Sequence, residues 1–157
     1  MRIWRISNHA ELKGLGGLVA GGRWHQRGHP VVYCAESPAA ALLETVVHLE
    51  IGDPDDVPEG YQLLEIEVPD SVSRAKLDSA SLPDDWRHQP GVTQSIGQGW
   101  LTARQAAILT VPNAIVPHTF NCLINPIHPE SGEIRTVSSV RYPFDDRLFK
   151  TGTSSSG

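Results

Sequence analysis

Arg23, Tyr33 and Glu44 all fall in one segment, GGRWHQRGHPVVYCAESPAAALLETVVHLE, spanning residues 21–50. A guanidinium, an aromatic ring and a carboxylate are what a site needs to grip an anion, stack a planar group and stabilise a positive charge. Arg23 follows Gly21 and Gly22, where the backbone has conformations open only to glycine and can approach a ligand closely. Its planar fork suits a diphosphate through paired N–H donors. Tyr33 is either a core residue whose hydroxyl finds a partner or a platform for a planar ligand. Glu44 is either a solvated carboxylate paired with His48 or a catalytic one. Arg5, between Trp4 and Ile6, is a surface charge unless its face lines a cleft, where it becomes a second anion contact.

Several alternatives find no support in the same stretch. His25 and His29 have a metal spacing only on a helix, and Gly28 and Pro30 argue against one. No metal site is expected. Cys34 with a histidine raises a thiol hydrolase, but no local nucleophile signature surrounds it. Neither GxGxxG nor GxxxxGK is present.

The elements that must position these residues follow from pattern. MRIWRIS reads as a strand, residues 13–22 as a glycine-rich loop, and PVVYCAE as a strand bounded by Pro30 and Ser37. Val31, Tyr33 and Ala35 then face one way and Val32 and Cys34 the other. A helix runs from Pro38 to about Leu49, with Ser37 as N-cap, and Gly52 and Pro54 stop it. Ala39, Leu42, Leu43, Val46 and Leu49 form its core stripe. Glu44 shares a second face with Ser37, Ala40, Ala41 and His48, and its alanines leave room for a close approach. The positive helix end near Ser37 favours an anion.

Further strands are expected at YQLLEIEVP, VSRAKL, AAILTVP and EIRTVSSVRY, and a short helix, weakened by Gly97 and Gly99, at TQSIGQGWLTAR. Strands outnumber helices without a regular βαβ order, which favours a compact α+β domain with mixed sheets. Residues 1–149 read as one domain and 150–157 as a disordered, low-complexity tail of the kind cloning leaves behind.

Composition fits a globular protein: 157 residues, 39% hydrophobic and 20% charged. No run approaches the roughly 18 apolar residues of a membrane span, and the N-terminus lacks an apolar signal region, so cytoplasmic residence is expected. The net charge of −5 argues against direct nucleic-acid binding. Only three of the thirteen basic residues are lysine, and an arginine bias suits an anionic small molecule. Cys34 and Cys122 are expected as free, buried thiols.

The chain resembles the RES-domain toxins, which partner Xre-type antitoxins. The matching pieces keep their order along nearly all of it: WRIS (4–7), GGRWHQRGHPVVYCAES (21–37), ALLETVVHL (41–49), IGQGWL (96–101), VPNAIVP (111–117), NPIHP (125–129) and PFDDRL (143–148). The resemblance implies a fold similar to the ADP-ribosyltransferase toxins, with NAD as substrate rather than cofactor. It implies cleavage of the nicotinamide–ribose bond by hydrolysis or phosphorolysis, or transfer of ADP-ribose to a protein. An Xre-type antitoxin would occlude the cleft within a larger complex. Functional positions carry over onto Arg5, Arg23, Tyr33 and Glu44, with Trp24 closing the pocket nearby. Relatives usually have VPS where this chain has VPN, so Asn113 stands at the family's serine, where it would hydrogen-bond ribose or the nicotinamide amide. That departure keeps open a third reading, a catalytically weakened domain whose main business is antitoxin binding. Ile96 and Trp100 read as core, His128 as hydrogen-bonded within a proline corner, Asn125 as a second candidate for the pocket, and Asp145, Asp146 and Arg147 as a surface cluster.

Overall fold

The computed structural model describes residues 1–51 and 54–149. The tail, 150–157, and Gly52, expected to help stop the first long helix, lie outside the described residues. The strands are β1 (Arg2–Ser7), β2 (Val32–Ala35), β3 (Gln62–Glu67), β4 (Arg74–Lys76), β5 (Ile108–Pro112), β6 (Phe120–Ile124) and β7 (Arg135–Arg141). They form one seven-stranded sheet in the order β4-β5-β6-β2-β1-β3-β7, in which only β4 and β5 run parallel. The helices are α1 (Gly16–Val19, a single turn), α2 (Pro38–Leu49) and α3 (Pro90–Ala103). The α+β class and the single mixed domain are as expected.

One sheet face buries Ile3, Val32, Cys34, Leu64, Ile66, Ile108, Cys122 and Ile124 together. On the other face α3 covers Leu109, Val111 and Leu123, joined by Trp24 and Trp86, while α2 covers Ile6 and Ala35 through Ala40 and Ala41. The side chains of β2 alternate between these layers, which puts Tyr33 on the helix side and Cys34 opposite. Cys34 and Cys122 face each other across β2 and β6 as free, buried thiols. Burial pushes the Cys34 thiol up to about 12, so no thiolate nucleophile exists there near neutral pH.

Helix α2 starts as its sequence dictates. Ser37 is extended and its hydroxyl accepts the N–H of Ala40, and Pro38 occupies the first turn. Its end is set by Glu50, which adopts the left-handed conformation usually left to glycine. Helix α3 begins three residues ahead of the expected Thr93, because Pro90 and Gly91 join its first turn. Gly97 is required there: a Cβ would sit 1.7 Å from the carbonyl oxygen of Trp24. Strand β6 is absent from the sequence reading. FNCLI is buried on both faces, so it lacks the alternation that marks a half-exposed strand.

Candidate active site

The sheet splits at its centre. β1 pairs with β3 over six residues and β2 with β6 over four, yet β1 and β2 share one register pair, Trp4 with Ala35. Beyond that pair the two strands part, and a cavity of about 500 Å³ occupies the seam. Arg5, Arg23, Tyr33 and Glu44 all line it, together with the glycine-rich segment around Gly14–Gly22. Arg5 lies opposite Leu64 and shares its face, whereas Tyr33 lies on the helix side. Both line the one cavity at the seam where the strands separate. Among the described residues no helix is long and apolar enough to cross a membrane.

Glu44 projects one turn beyond Ala40 and Ala41, the small residues that seat α2 on the sheet. Its Oε1 accepts two amide N–H groups, from Asn113 at 2.9 Å and Asn121 at 3.0 Å. Asn113 also donates to Asn121 Oδ1 at 3.2 Å, and its own Oδ1 accepts the backbone N–H groups of Ile115 and Val116. Those two backbone donors fix which amide atom faces Glu44, since an N–H pair can bond only to the oxygen. The carboxylate is thus clamped through Oε1, while Oε2 has no partner among the described residues. Glu44 pairs with asparagines rather than with His48, which is exposed on the cavity rim.

Tyr33 is held by its hydroxyl. The oxygen accepts the Trp24 N–H at 3.1 Å and lies 2.7 Å from Nδ1 of His25. Burial raises its pKa to about 12, so it remains a neutral phenol. Arg23 sits on a tight bend closed by the Gly22 N–H to the His25 carbonyl. Thr93 and Gln94 of α3 fasten that bend by donating to the carbonyls of Arg23 and Gly22. The Arg23 Nη1 donates to the Arg87 carbonyl at 3.1 Å, and its guanidinium lies 5.8 Å from the Trp86 ring. Arg5 is half-buried and has no hydrogen-bond or ion-pair partner among the described residues. A partly desolvated cation in that state favours an anionic ligand.

Three expectations need correction. Asn113 is 1% exposed and all four hydrogen-bonding positions of its amide are occupied, so it does not reach the cavity; its partner is Glu44 instead of a sugar. Trp24 is buried against Trp86, with ring centroids 6.0 Å apart, so it supports the pocket from behind and does not close it. Asn125 is fully buried, bonded to the Leu101 carbonyl and the Ile127 N–H, and remote from the cavity lining. His128 does hydrogen-bond within the proline corner, to the Glu130 N–H, and Asp145 pairs with Arg147 at the surface.

Asn121 is the residue that sequence reasoning missed. Its signal was an asparagine inside the apolar run FNCLI, a polar group that burial obliges to find a partner. The pairing of His25 with Tyr33 is made by the bend at Gly22, which brings two residues eight apart together.

Arg5, Arg23, Tyr33 and Glu44, the positions to which the RES resemblance points, thus line one cavity. The RES domain family matches residues 2–145, and the chain belongs to that family. It is 48% identical to Toxin Res of Pseudomonas putida, covering 95% of this chain and all of that protein. It is 39% identical to the Prs ADP-ribosylating toxin of a Sphingobium species, over 94% of this chain and 96% of that one. In fold it is similar to the crystal structure of the M. tuberculosis MbcT-MbcA toxin-antitoxin complex, with a TM-score of 0.71 at 19% identity, over 94% of this chain and 86% of that one.

Proposed function

We propose that this chain is the toxin of a toxin–antitoxin pair, an enzyme of ADP-ribosyltransferase type that cleaves the nicotinamide–ribose bond of NAD and depletes it in the cytoplasm. The observation that carries this reading is the state of Glu44. One oxygen is clamped by two asparagines, the other has no partner among the described residues, and Arg5 and Arg23 line the same cavity as Glu44. Nicotinamide departs as a neutral ring from a cationic precursor, so no general acid is needed. The ribose left behind develops oxocarbenium character. A fixed carboxylate stabilises that charge and orients the attacking oxygen without reorganising at the moment of reaction. Arg23 and Arg5 neutralise the diphosphate. Tyr33 offers its ring face to the nicotinamide, because its hydroxyl is occupied elsewhere.

The attacking group is water or phosphate in this reading. Asn113, at the position for which the family resemblance implies serine, holds the carboxylate, which weighs against a merely binding role. An antitoxin of the Xre type would keep the enzyme inactive by covering the seam. ADP-ribosyl transfer to a protein is the second reading, favoured by likeness to a relative named as an ADP-ribosylating toxin. Incubating the purified protein with NAD, with and without phosphate, separates them. Free nicotinamide with free ADP-ribose or its phosphorylated product is expected. Intact NAD under both conditions rejects the proposal, and label fixed on protein moves it to the second reading.

A further inference from the structure

His25 is 3% exposed, yet both ring nitrogens are engaged. Nε2 lies 3.1 Å from the Ala20 carbonyl, which can only accept, so Nε2 carries the proton. Nδ1 is therefore bare, and the Tyr33 hydroxyl at 2.7 Å donates to it. The same hydroxyl oxygen accepts the Trp24 N–H at 3.1 Å. Tyr33 thus has its single donor and an acceptor position occupied by two successive residues of the bend that also carries Arg23. The fit admits nothing larger than glycine alongside: a Cβ on Gly22 would lie 2.6 Å from the Tyr33 oxygen and 3.2 Å from the imidazole of His25.

We propose that His25 is a positioning residue, fixing the tilt of the Tyr33 ring over the cavity and tying the glycine-rich wall, through Ala20, to β2. This rests on the NAD-cleavage reading for its kinetic consequence, though not for its geometry. Burial lowers the pKa of His25, with His29 adding to it, and outweighs the backbone hydrogen bonds to Ala20 and Gly17 that raise it. The net lowering favours a bare Nδ1, the state in which it accepts from Tyr33. Acting through Tyr33, His25 governs how well NAD is held before the bond breaks. Its removal therefore raises KM more than it lowers kcat.

The experiment compares His25→Ala and His25→Asn with the unmodified protein by nicotinamide release. Asparagine places its Oδ1 where Nδ1 stands and accepts from Tyr33 as before. The alanine variant is expected to raise KM for NAD on the order of tenfold with a smaller change in kcat, and the asparagine variant to recover most of that loss. An unchanged KM in the alanine variant, or an asparagine variant no better than alanine, overturns the proposal. Proton-coupled nitrogen NMR of the histidine side chains in the unmodified protein is the second measurement. A neutral Nε2–H form of His25 at pH 7 is expected, and an Nδ1–H form overturns the assignment whether or not any variant folds. Absence of nicotinamide release from the unmodified protein would instead reject the NAD reading and leave the NMR result to decide the role of His25.

Discussion

Asn113→Asp tests how the site holds its carboxylate. The change is isosteric and leaves Oδ1 on the N–H groups of Ile115 and Val116, so the turn after β5 keeps its anchor. It converts Nδ2, 2.9 Å from Glu44 Oε1, into a carboxylate oxygen. The variant first loses a hydrogen bond to a charged acceptor, a contribution of about 1.5–3 kcal/mol. It also sets two negative charges at that distance, a repulsion of about 6 kcal/mol for an effective dielectric of 20. The pair avoids the full repulsion by taking up a proton, as carboxylates sharing a site do. Starting from a free carboxyl near 4, that uptake costs about 4 kcal/mol at pH 7 and about 1.4 kcal/mol at pH 5.

The shared proton restores an O–H···O bond, so uptake sets the net effect. The folded pair in the variant titrates above its unfolded value. Stability relative to the unmodified protein is therefore retained below about pH 4 and falls by about 1.4 kcal/mol per pH unit until the pair's raised pKa is passed. Urea unfolding at pH 5 and pH 7 measures it. A deficit of about 4 kcal/mol at pH 7 shrinking to about 1.4 kcal/mol at pH 5 is expected. Adding Glu44→Gln should remove most of the deficit, because the glutamine amide can donate to Asp at 113. A variant within about 0.5 kcal/mol of the parent at both pH values, the scatter of ordinary surface changes, would refute the clamp.

Three further outcomes are expected. Glu44→Gln keeps an acceptor for both asparagines and so keeps its stability, while nicotinamide release falls by on the order of 10²–10³ and expressing cells resume growth. Arg87→Met leaves its stem against Trp86 but loses the bond from Nε to the Ala114 carbonyl. KM for NAD in steady-state assays should rise roughly threefold or more with kcat less affected, since the Arg87 carbonyl anchors Arg23. In α3, Gly99→Ala meets open space and should stabilise by about 0.5–1 kcal/mol in urea unfolding. Gly97→Ala drives a methyl into the Trp24 backbone and should destabilise by about 3 kcal/mol or more.

The strands with one wet face were legible because their side chains alternate: Leu64, Ile66 and Val68 are buried, with Glu65 and Glu67 between them. Helix α2 was legible from its start, Ser37 and Pro38. What escaped depends on contacts distant in sequence. Strand β6 has no polar face to reveal it, and Asn121 within it reaches Glu44 across 77 positions. The cavity was hidden for a related reason. It exists because β1 chooses β3 and β2 chooses β6 as main partners, and that competition between strands is written in no local pattern. Arg23, Tyr33 and Glu44 could be nominated by type, but their partners could not.

Those partners explain how three side chains on separate elements hold one arrangement. From Glu44, the chain of bonds runs to Asn113, which turns the segment containing Ala114 by capping Ile115 and Val116. The Ala114 carbonyl accepts from Arg87, and the Arg87 carbonyl accepts from Arg23. From the same bend, Trp24 and His25 hold Tyr33. The carboxylate, the cation and the ring are thus coupled behind the cavity, with no direct contact among them needed within it. An arrangement of this kind leaves Glu44 Oε2 and the aromatic face available to a ligand while fixing both. A loss at Arg87, outside the cavity lining, should therefore register in substrate binding, and a loss at Asn113 in the charge state of Glu44.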